Sequence, residues 1–300
     1  MERISLADGF EVSRIVHGHW RLPAWKMTAQ DLVRLTGDVI GLGVTTFDTA
    51  DIYGDYECER LFGEVLRLNP DIRGKIQIIT KCGIKPRSDK FPERKIKTYD
   101  YSFNHITESV ENSLVNLNTD HVDLMLLHRP APFFDPEQVA RAFSYLKKSG
   151  KVLYFGVSNF TPSQFQMLNS FTEENLVTNQ VEISPYCLEH FNNGNIDLFL
   201  MEKIRPMAWS PLAGGRLLNP GDEKANRILR VLKEVSCELG GVPLDKIVYA
   251  WLLKHPASII PVVGTGKTER INTAIDALTL DMSLEQWYKI YNSSTGTDLP

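Results

Sequence analysis

Four residues in the first half of the chain carry a coherent chemistry: Asp48, Tyr53, Lys81 and His128. A free phenol titrates near about 10, so it holds its proton at neutral pH and gives it up reluctantly. An ammonium beside it favours the phenolate and lowers that value, and a carboxylate keeps the ammonium charged and in place. A neighbouring imidazole can hydrogen-bond a carbonyl oxygen, orienting and polarising it. Together these groups suit the delivery of a proton to an oxygen that becomes negative as a carbonyl is reduced. Taken singly, each has a plainer reading. An Asp after a strand caps a helix, and a lone Lys, His or Tyr satisfies backbone or faces solvent. Convergence of all four on one mouth outweighs the single readings.

The elements that must bring them together recur as β-rich runs, each followed by a stretch of amphipathic helical length. That alternation implies βαβ units and a parallel sheet. Strands are expected at 15–18, 45–48, 76–81, 122–128, 152–158, 177–182, 206–209 and 259–263. Helices are expected at 28–42, 58–68, 104–117, 136–149, 161–169, 196–203, 229–239 and 268–277, with extra ones at 244–253 and 283–291. Asp135-Pro136 and Thr161-Pro162 read as N-caps followed by proline at the first helical position, and Gly150 as a C-cap. Residues 3–12, with Asp8-Gly9 at the centre, form a hairpin candidate. The fold expected is α/β, a single (β/α)8 TIM barrel with an N-terminal β-hairpin cap and extra C-terminal helices, one domain over residues 1–300. In such a barrel the site lies at the C-terminal strand ends. Asp48, Lys81 and His128 each end a strand, and Tyr53 follows Asp48 by one loop. Residues 83–103 make an unusually long loop rich in Lys and Arg, read either as a solvated basic loop or as a substrate-side lid.

Composition narrows the classes further. Lys+Arg 33 against Asp+Glu 37 gives a formal charge of −4, which lacks the basic field of a general nucleic-acid binder. Cys58, Cys82, Cys187 and Cys237 are too dispersed for a disulfide framework or zinc ribbon. No apolar run reaches the roughly 20 residues of a membrane helix, and the first residues lack the apolar core of a signal peptide. A cytoplasmic enzyme with no membrane, nucleic-acid or obligate protein partner is expected.

The chain resembles the aldo-keto reductase family from Gly18 to the final barrel helix. The carriers are Phe47-Asp48-Thr49-Ala50-Asp51-Ile52-Tyr53-Gly54 with Glu59 and Gly63, then Lys81, and His128-Arg129-Pro130 preceded by Asp120-His121-Val122-Asp123. Gly156-Val157-Ser158-Asn159-Phe160 and Asn179-Gln180-Val181-Glu182 continue the match. The resemblance implies Tyr53 as proton donor, assisted by Asp48, Lys81 and His128. It also implies NADPH, with NADH the less favoured alternative, lying across the barrel mouth; no G-x-G-x-x-G follows the first strand to suggest a Rossmann domain. Gly18, His19 and Trp20 would border the nicotinamide beside Asp48. Ser158, Asn159 and Gln180 would bond its carboxamide, and Trp209 would stack on the ring, followed by Ser210, Pro211 and Leu212. Gly214 and Arg216 would contact the pyrophosphate. Gly264, Thr265, Gly266, Lys267 and Arg270 would hold the 2′-phosphate, although the stretch departs from the family pattern at Gly264, Thr273 and Ala274.

Substrate would meet Trp20, Tyr53 and His128, with Trp25, Tyr56, Phe91 and Tyr186 as further aromatic lining. A small-molecule aldehyde, quinone or ketone is expected, and no bound metal. Three other readings compete. His17-Gly18-His19 could open a metal site for barrel hydrolase chemistry, since strand alternation points both imidazoles one way. A cofactor-binding regulatory subunit of the same family would keep the cofactor contacts without needing fast turnover. A Schiff-base aldolase would need Lys81 deprotonated.

Overall fold

The computed structural model describes residues 1–299. Eight parallel strands close into a barrel: β1 (Val16–Gly18), β2 (Thr46–Asp48), β3 (Gln77–Cys82), β4 (Val122–Leu127), β5 (Val152–Ser158), β6 (Leu176–Glu182), β7 (Met207–Trp209) and β8 (Ile260–Val263). Each expected strand is present, its ends displaced by at most one residue. The reason is physical. Strands of a parallel barrel are covered on both faces, so they read as unbroken apolar runs with sharp ends. Ile78, Ile79, Leu124, Met125, Leu126 and Leu127 are all fully buried.

Between the strands run α1 (Ala29–Gly41), α2 (Cys58–Leu68), α3 (Phe103–Leu117), α4 (Pro136–Lys148), α5 (Pro162–Phe171), α6 (Asn195–Met201), α7 (Glu223–Glu238) and α9 (Thr268–Asp276). Helices α8 (Leu244–Leu253) and α10 (Leu284–Thr295) lie outside the repeat, as does a single helical turn at Glu189–Asn192. Local chemistry sets their starts. Asp135 accepts from the N–H groups of Glu137 and Gln138. Thr161 and Gln164 form a reciprocal capping box ahead of Pro162. Helix α7 starts six residues before its expected position, because Asp222 accepts from Ala225 N at 2.8 Å and the polar first turn hides the apolar stripe.

The chain falls into two compact units, Met1–Asn179 with Gly264–Gly266, and Gln180–Val263 with the chain from Lys267 onward. In the first, an antiparallel hairpin (Arg3–Ala7 with Phe10–Ser13) turns at Gly9, whose φ of 73° favours glycine. The hairpin joins the N-terminal end of β2: Ser13 N donates to Thr46 Oγ1 at 2.9 Å, and Thr46 N donates to Ser13 Oγ at 3.1 Å. Asp48 therefore stands at the opposite end of its strand. The long loop after β3 is partly ordered by a small hairpin of its own, Ile84–Lys85 against Thr98–Tyr99, which the sequence did not suggest. In the second unit, Trp251 and Trp287 stack at 5.0 Å, and each indole N–H donates to the other's carbonyl. Among the described residues no helix is long and apolar enough to cross a membrane.

Candidate active site

Strand register brings Asp48 and Lys81 together. Asp48 ends β2 opposite Ile79 of β3, so Lys81, two residues on and on the same side, lies just beyond it. The backbone continues the ladder past the strand: Thr49 N donates to Ile79 O at 2.8 Å, and Asp51 N to Lys81 O at 3.1 Å. Lys81 is fully buried, and its Nζ donates to both Asp48 oxygens at 2.7 Å and to Thr49 O at 2.8 Å. All three ammonium protons thus have acceptors nearby. The same Nζ lies 4.9 Å from the Tyr53 ring centroid.

Tyr53 is carried on a tight turn, with its N–H on Ala50 O and its carbonyl accepting from Glu57 N and Cys58 N. Gly54, Asp55 and Tyr56 then follow in succession with φ of 59°, 54° and 66°. Only Gly54 is sterically free in that region, and a Cβ there would stand 2.6 Å from Pro23 Cγ and 2.9 Å from Cys58 Sγ. His128 follows β4, its N–H on Cys82 O at 3.0 Å. Its ring meets the Tyr53 ring edge-on at 5.5 Å, and its buried Nδ1 has no hydrogen-bond partner. The four residues converge.

Electrostatics refine what the cluster can do. Burial and the neighbouring Lys81 hold His128 well below the ordinary imidazole value, so it is neutral at pH 7. Burial pulls Lys81 down, but the Asp48 carboxylate and Tyr53 outweigh it, and the ammonium is held above its ordinary value. The sequence reading that Lys81 would lower the Tyr53 pKa needs correction. Desolvation raises it, Lys81 opposes, and the net direction is up. The phenol is therefore held as the acid at neutral pH, beside a cation that can stabilise the phenolate formed on donation. Burial also pushes Asp51 and Glu59 toward their protonated forms, while Asp48 is the acidic side chain in direct contact with the ammonium. Glu59 accepts from Thr80 Oγ1 at 2.5 Å, locking α2 to β3.

The long loop folds back over the turn after Tyr53. Arg94 donates to the Tyr56 hydroxyl at 2.5 Å and lies 3.6 Å from the centroid of the Phe91 ring, while Lys90 pairs with Glu57. These contacts tie the loop to the turn that carries Tyr53.

Residues expected to face a nicotinamide cofactor differ in their surroundings. Ser158 is buried, and its Oγ accepts from Asn159 Nδ2 at 2.7 Å; Asn159 has a left-handed φ of 63°. Gln180 is likewise buried, and Trp209, at the end of β7, is half-buried. The loop after β7 holds Ser210, Ala213, Gly214 and Gly215 at φ of 50°, 51°, 67° and 104°, with Pro211 and Leu212 between them and Arg216 exposed beyond. His17 Nε2 donates to Thr265 O at 2.8 Å, fixing the loop that carries Gly264 and Gly266. Helix α9 starts at Lys267 with no side-chain cap, and Arg270 is exposed in its first turn. An uncapped helix start with Lys and Arg fits a phosphate, and side-chain amides such as those of Asn159 and Gln180 each have the donors and acceptor to bond a carboxamide. The residues present suit the cofactor.

His17 and His19 point the same way, as alternation required, with ring centroids 5.0 Å apart. Both are buried among Trp25, Phe47 and Phe62, and burial holds His17 down at about 4 and His19 well below its ordinary value. Among the described residues no group of three or more His, Cys, Asp or Glu is arranged to hold a metal ion. Trp20 is 55% exposed, so it stands as an open wall rather than a packed one. Two contributors lacked any signal in residue type, because each contact has a backbone atom on one side: the Thr49 carbonyl that accepts from Lys81, and the Arg129 peptide that the Tyr101 hydroxyl holds.

A (β/α)8 barrel with a phenol, an ammonium, a carboxylate and an imidazole gathered at its strand ends defines a class of oxidoreductase. The family model for the aldo/keto reductase family matches residues 14–294, and the chain belongs to that family. It is 48% identical over 300 residues to the uncharacterized oxidoreductase YcsN of Bacillus subtilis (strain 168), covering 100% of both chains. It is 41% identical over 300 residues to a 6-dehydroglucose reductase of Agrobacterium fabrum, again covering 100% of both. Among solved structures, the thermostable aldo-keto reductase Tm1743, determined with the inhibitor epalrestat, superposes with a TM-score of 0.80 at 24% identity, covering 98% of this chain and 100% of that one. That likeness shows the same fold. The protein is an enzyme of the oxidoreductase class.

Proposed function

We propose that the enzyme reversibly reduces the carbonyl of a small aldehyde or ketone to an alcohol, using NADPH, with Tyr53 as proton donor. The observation that carries this is the Asp48–Lys81–Tyr53 arrangement, with the ammonium 2.7 Å from both carboxylate oxygens and 4.9 Å from the phenol ring. When bound, the nicotinamide supplies the hydride that goes to the carbonyl carbon. Tyr53 O–H donates its proton to the carbonyl oxygen as negative charge grows there, and Lys81 stabilises the phenolate left behind. Neutral His128 orients the oxygen by hydrogen bonding, and Asp48 keeps Lys81 charged and aimed. Ser158, Asn159 and Gln180 would hold the carboxamide, Trp209 the ring face, Arg216 the pyrophosphate, and Lys267 with Arg270 the 2′-phosphate.

The relative named for 6-dehydroglucose reduction supports a sugar-derived aldehyde as the first substrate to try. The net charge of −4 supports a small-molecule substrate rather than a general nucleic-acid partner. The decisive variant is Tyr53→Phe. Turnover of an aldehyde, followed by cofactor absorbance, should fall by about a hundredfold or more, while NADPH still quenches tryptophan fluorescence. Near-normal turnover would remove Tyr53 from the role of acid.

A further inference from the structure

We infer that Tyr101 is a positioning residue for His128, acting through the peptide of Arg129. The inference rests on the reading of His128 as the group that orients the carbonyl. The His128 imidazole is oriented without help from its own Nδ1, which is buried and has no partner. What fixes the ring is therefore the backbone on either side of it and the edge contact with Tyr53. That backbone is held at four atoms. His128 N donates to Cys82 O at 3.0 Å, and His128 O accepts from Asn159 Nδ2 at 3.4 Å. The next residue's N–H and C=O are both taken by one side chain: Arg129 N donates to the Tyr101 hydroxyl at 3.1 Å, and that hydroxyl donates to Arg129 O. Two of these bonds meet at a single oxygen, the Tyr101 hydroxyl.

The oxygen is itself held in place. Tyr101 is 4% exposed, and its ring fills the space a side chain at residue 83 would occupy. A Cβ built on Gly83 would lie 1.9 Å from Tyr101 Cε1, and Gly83 has a φ of 105°. Gly83 follows Cys82, whose carbonyl holds His128 N, and its own carbonyl accepts from Asp100 N at 2.9 Å. The other flank of the ring meets Phe134 edge-on at 5.5 Å, and Phe134 meets Phe160 at 6.0 Å. Burial keeps the phenol protonated at any working pH, so the clasp is permanent rather than a switch. Tyr101 thus ties the exit of β3, which delivers Lys81, to the exit of β4, which delivers His128. The long basic loop thus supplies Tyr101 as well as the contacts that Lys90 and Arg94 make to the turn after Tyr53.

Tyr101→Phe removes the hydroxyl and keeps the ring. It should lower kcat for aldehyde reduction about tenfold or more, by the sensitivity of bound geometry to small displacements, with NADPH affinity unchanged. The effect should depend on His128: in a His128→Gln background the same substitution should cost little further. In the cofactor-free protein, the imidazole resonances of His128, assigned through His128→Gln, should shift in Tyr101→Phe while those of His190 and His255 stay. Gly83→Ala, which displaces the ring by steric contact, should reproduce both results. Equal losses in the two backgrounds, or unmoved His128 resonances, would overturn the assignment. Failure of Tyr53→Phe to slow the enzyme would instead strike the parent reading, since the resonance shift does not depend on turnover.

Discussion

The Lys81 ammonium lies 2.7 Å from both carboxylate oxygens of Asp48, in a pair whose side chains are 0% and 4% exposed. At that burial neither charge has water to fall back on, so each depends on the other. Removing one partner of such a pair leaves an uncompensated charge and costs about 3–5 kcal/mol, whereas removing both with apolar groups costs much less. Asp48→Asn should therefore unfold at markedly lower urea and lose most of its activity. Asp48→Asn combined with Lys81→Met should recover part of the stability and none of the activity. A double variant as unstable as the two single losses added together would show that the pair is not coupled.

The titrating groups give a distinctive pH profile. His128 lies well below the ordinary imidazole value, and Tyr53 lies above the ordinary phenol value of about 10. Neither changes charge between about pH 7 and 10. The kcat/KM for reduction should be flat across that window and fall only above it, as the phenol ionises. An inflection near 6.5 would mean that His128 is exposed to protonation, and a fall below pH 9 would mean that Lys81, not burial, dominates the phenol. Stability has its own sign. Lys81 is raised on folding, so its contribution is complete below about 10.4 and is lost as pH climbs through the folded value.

These two outcomes divide along the line between what the sequence made legible and what it did not. Strand ends were legible, because a doubly covered strand is an apolar run and its last polar residue is the one at the barrel mouth; Asp48, Lys81 and His128 were found that way. The direction of the Tyr53 pKa was not. It is a balance of burial against a charge whose distance is set by packing, and composition carries neither term. The start of α7 was hidden by its polar first turn and found only through the Asp222 cap. Tyr101 was invisible for a similar reason: its hydroxyl meets a backbone 28 residues away, and backbone contacts leave no trace in residue types.

Gly63 tests the packing that supports the site. On α2, one turn beyond Glu59, it backs against the end of α3, where a Cβ would stand 1.9 Å from Asn116 O and 2.9 Å from Leu117 Cα. Its carbonyl also accepts from Asn118 Nδ2 at 3.1 Å. Alanine favours helix over glycine by about 1 kcal/mol, but the obstacle is backbone and cannot swing aside. Gly63→Ala should lose about 1–3 kcal/mol net, the usual cost of overpacking, read from the urea midpoint. A gain in stability would show that α3 yields freely there.

In the proposed arrangement, cofactor choice turns on the start of α9. Lys267 precedes the helix without a side-chain cap, and Arg270 lies exposed in the first turn, a setting of helix N–H groups and an exposed guanidinium that suits a dianion. A charge-assisted hydrogen bond is worth about 1.5–3 kcal/mol, roughly one to two powers of ten in affinity. Arg270→Ala should therefore weaken NADPH by about tenfold or more and leave NADH nearly untouched, because NADH has no phosphate for the guanidinium to meet. Raising the salt concentration should narrow the preference of the parent protein more than that of the variant, since screening acts on the charge that the variant has already lost. Fluorescence titration with each cofactor measures both. Equal loss of the two would move the phosphate away from Arg270, and with it the basis for preferring NADPH.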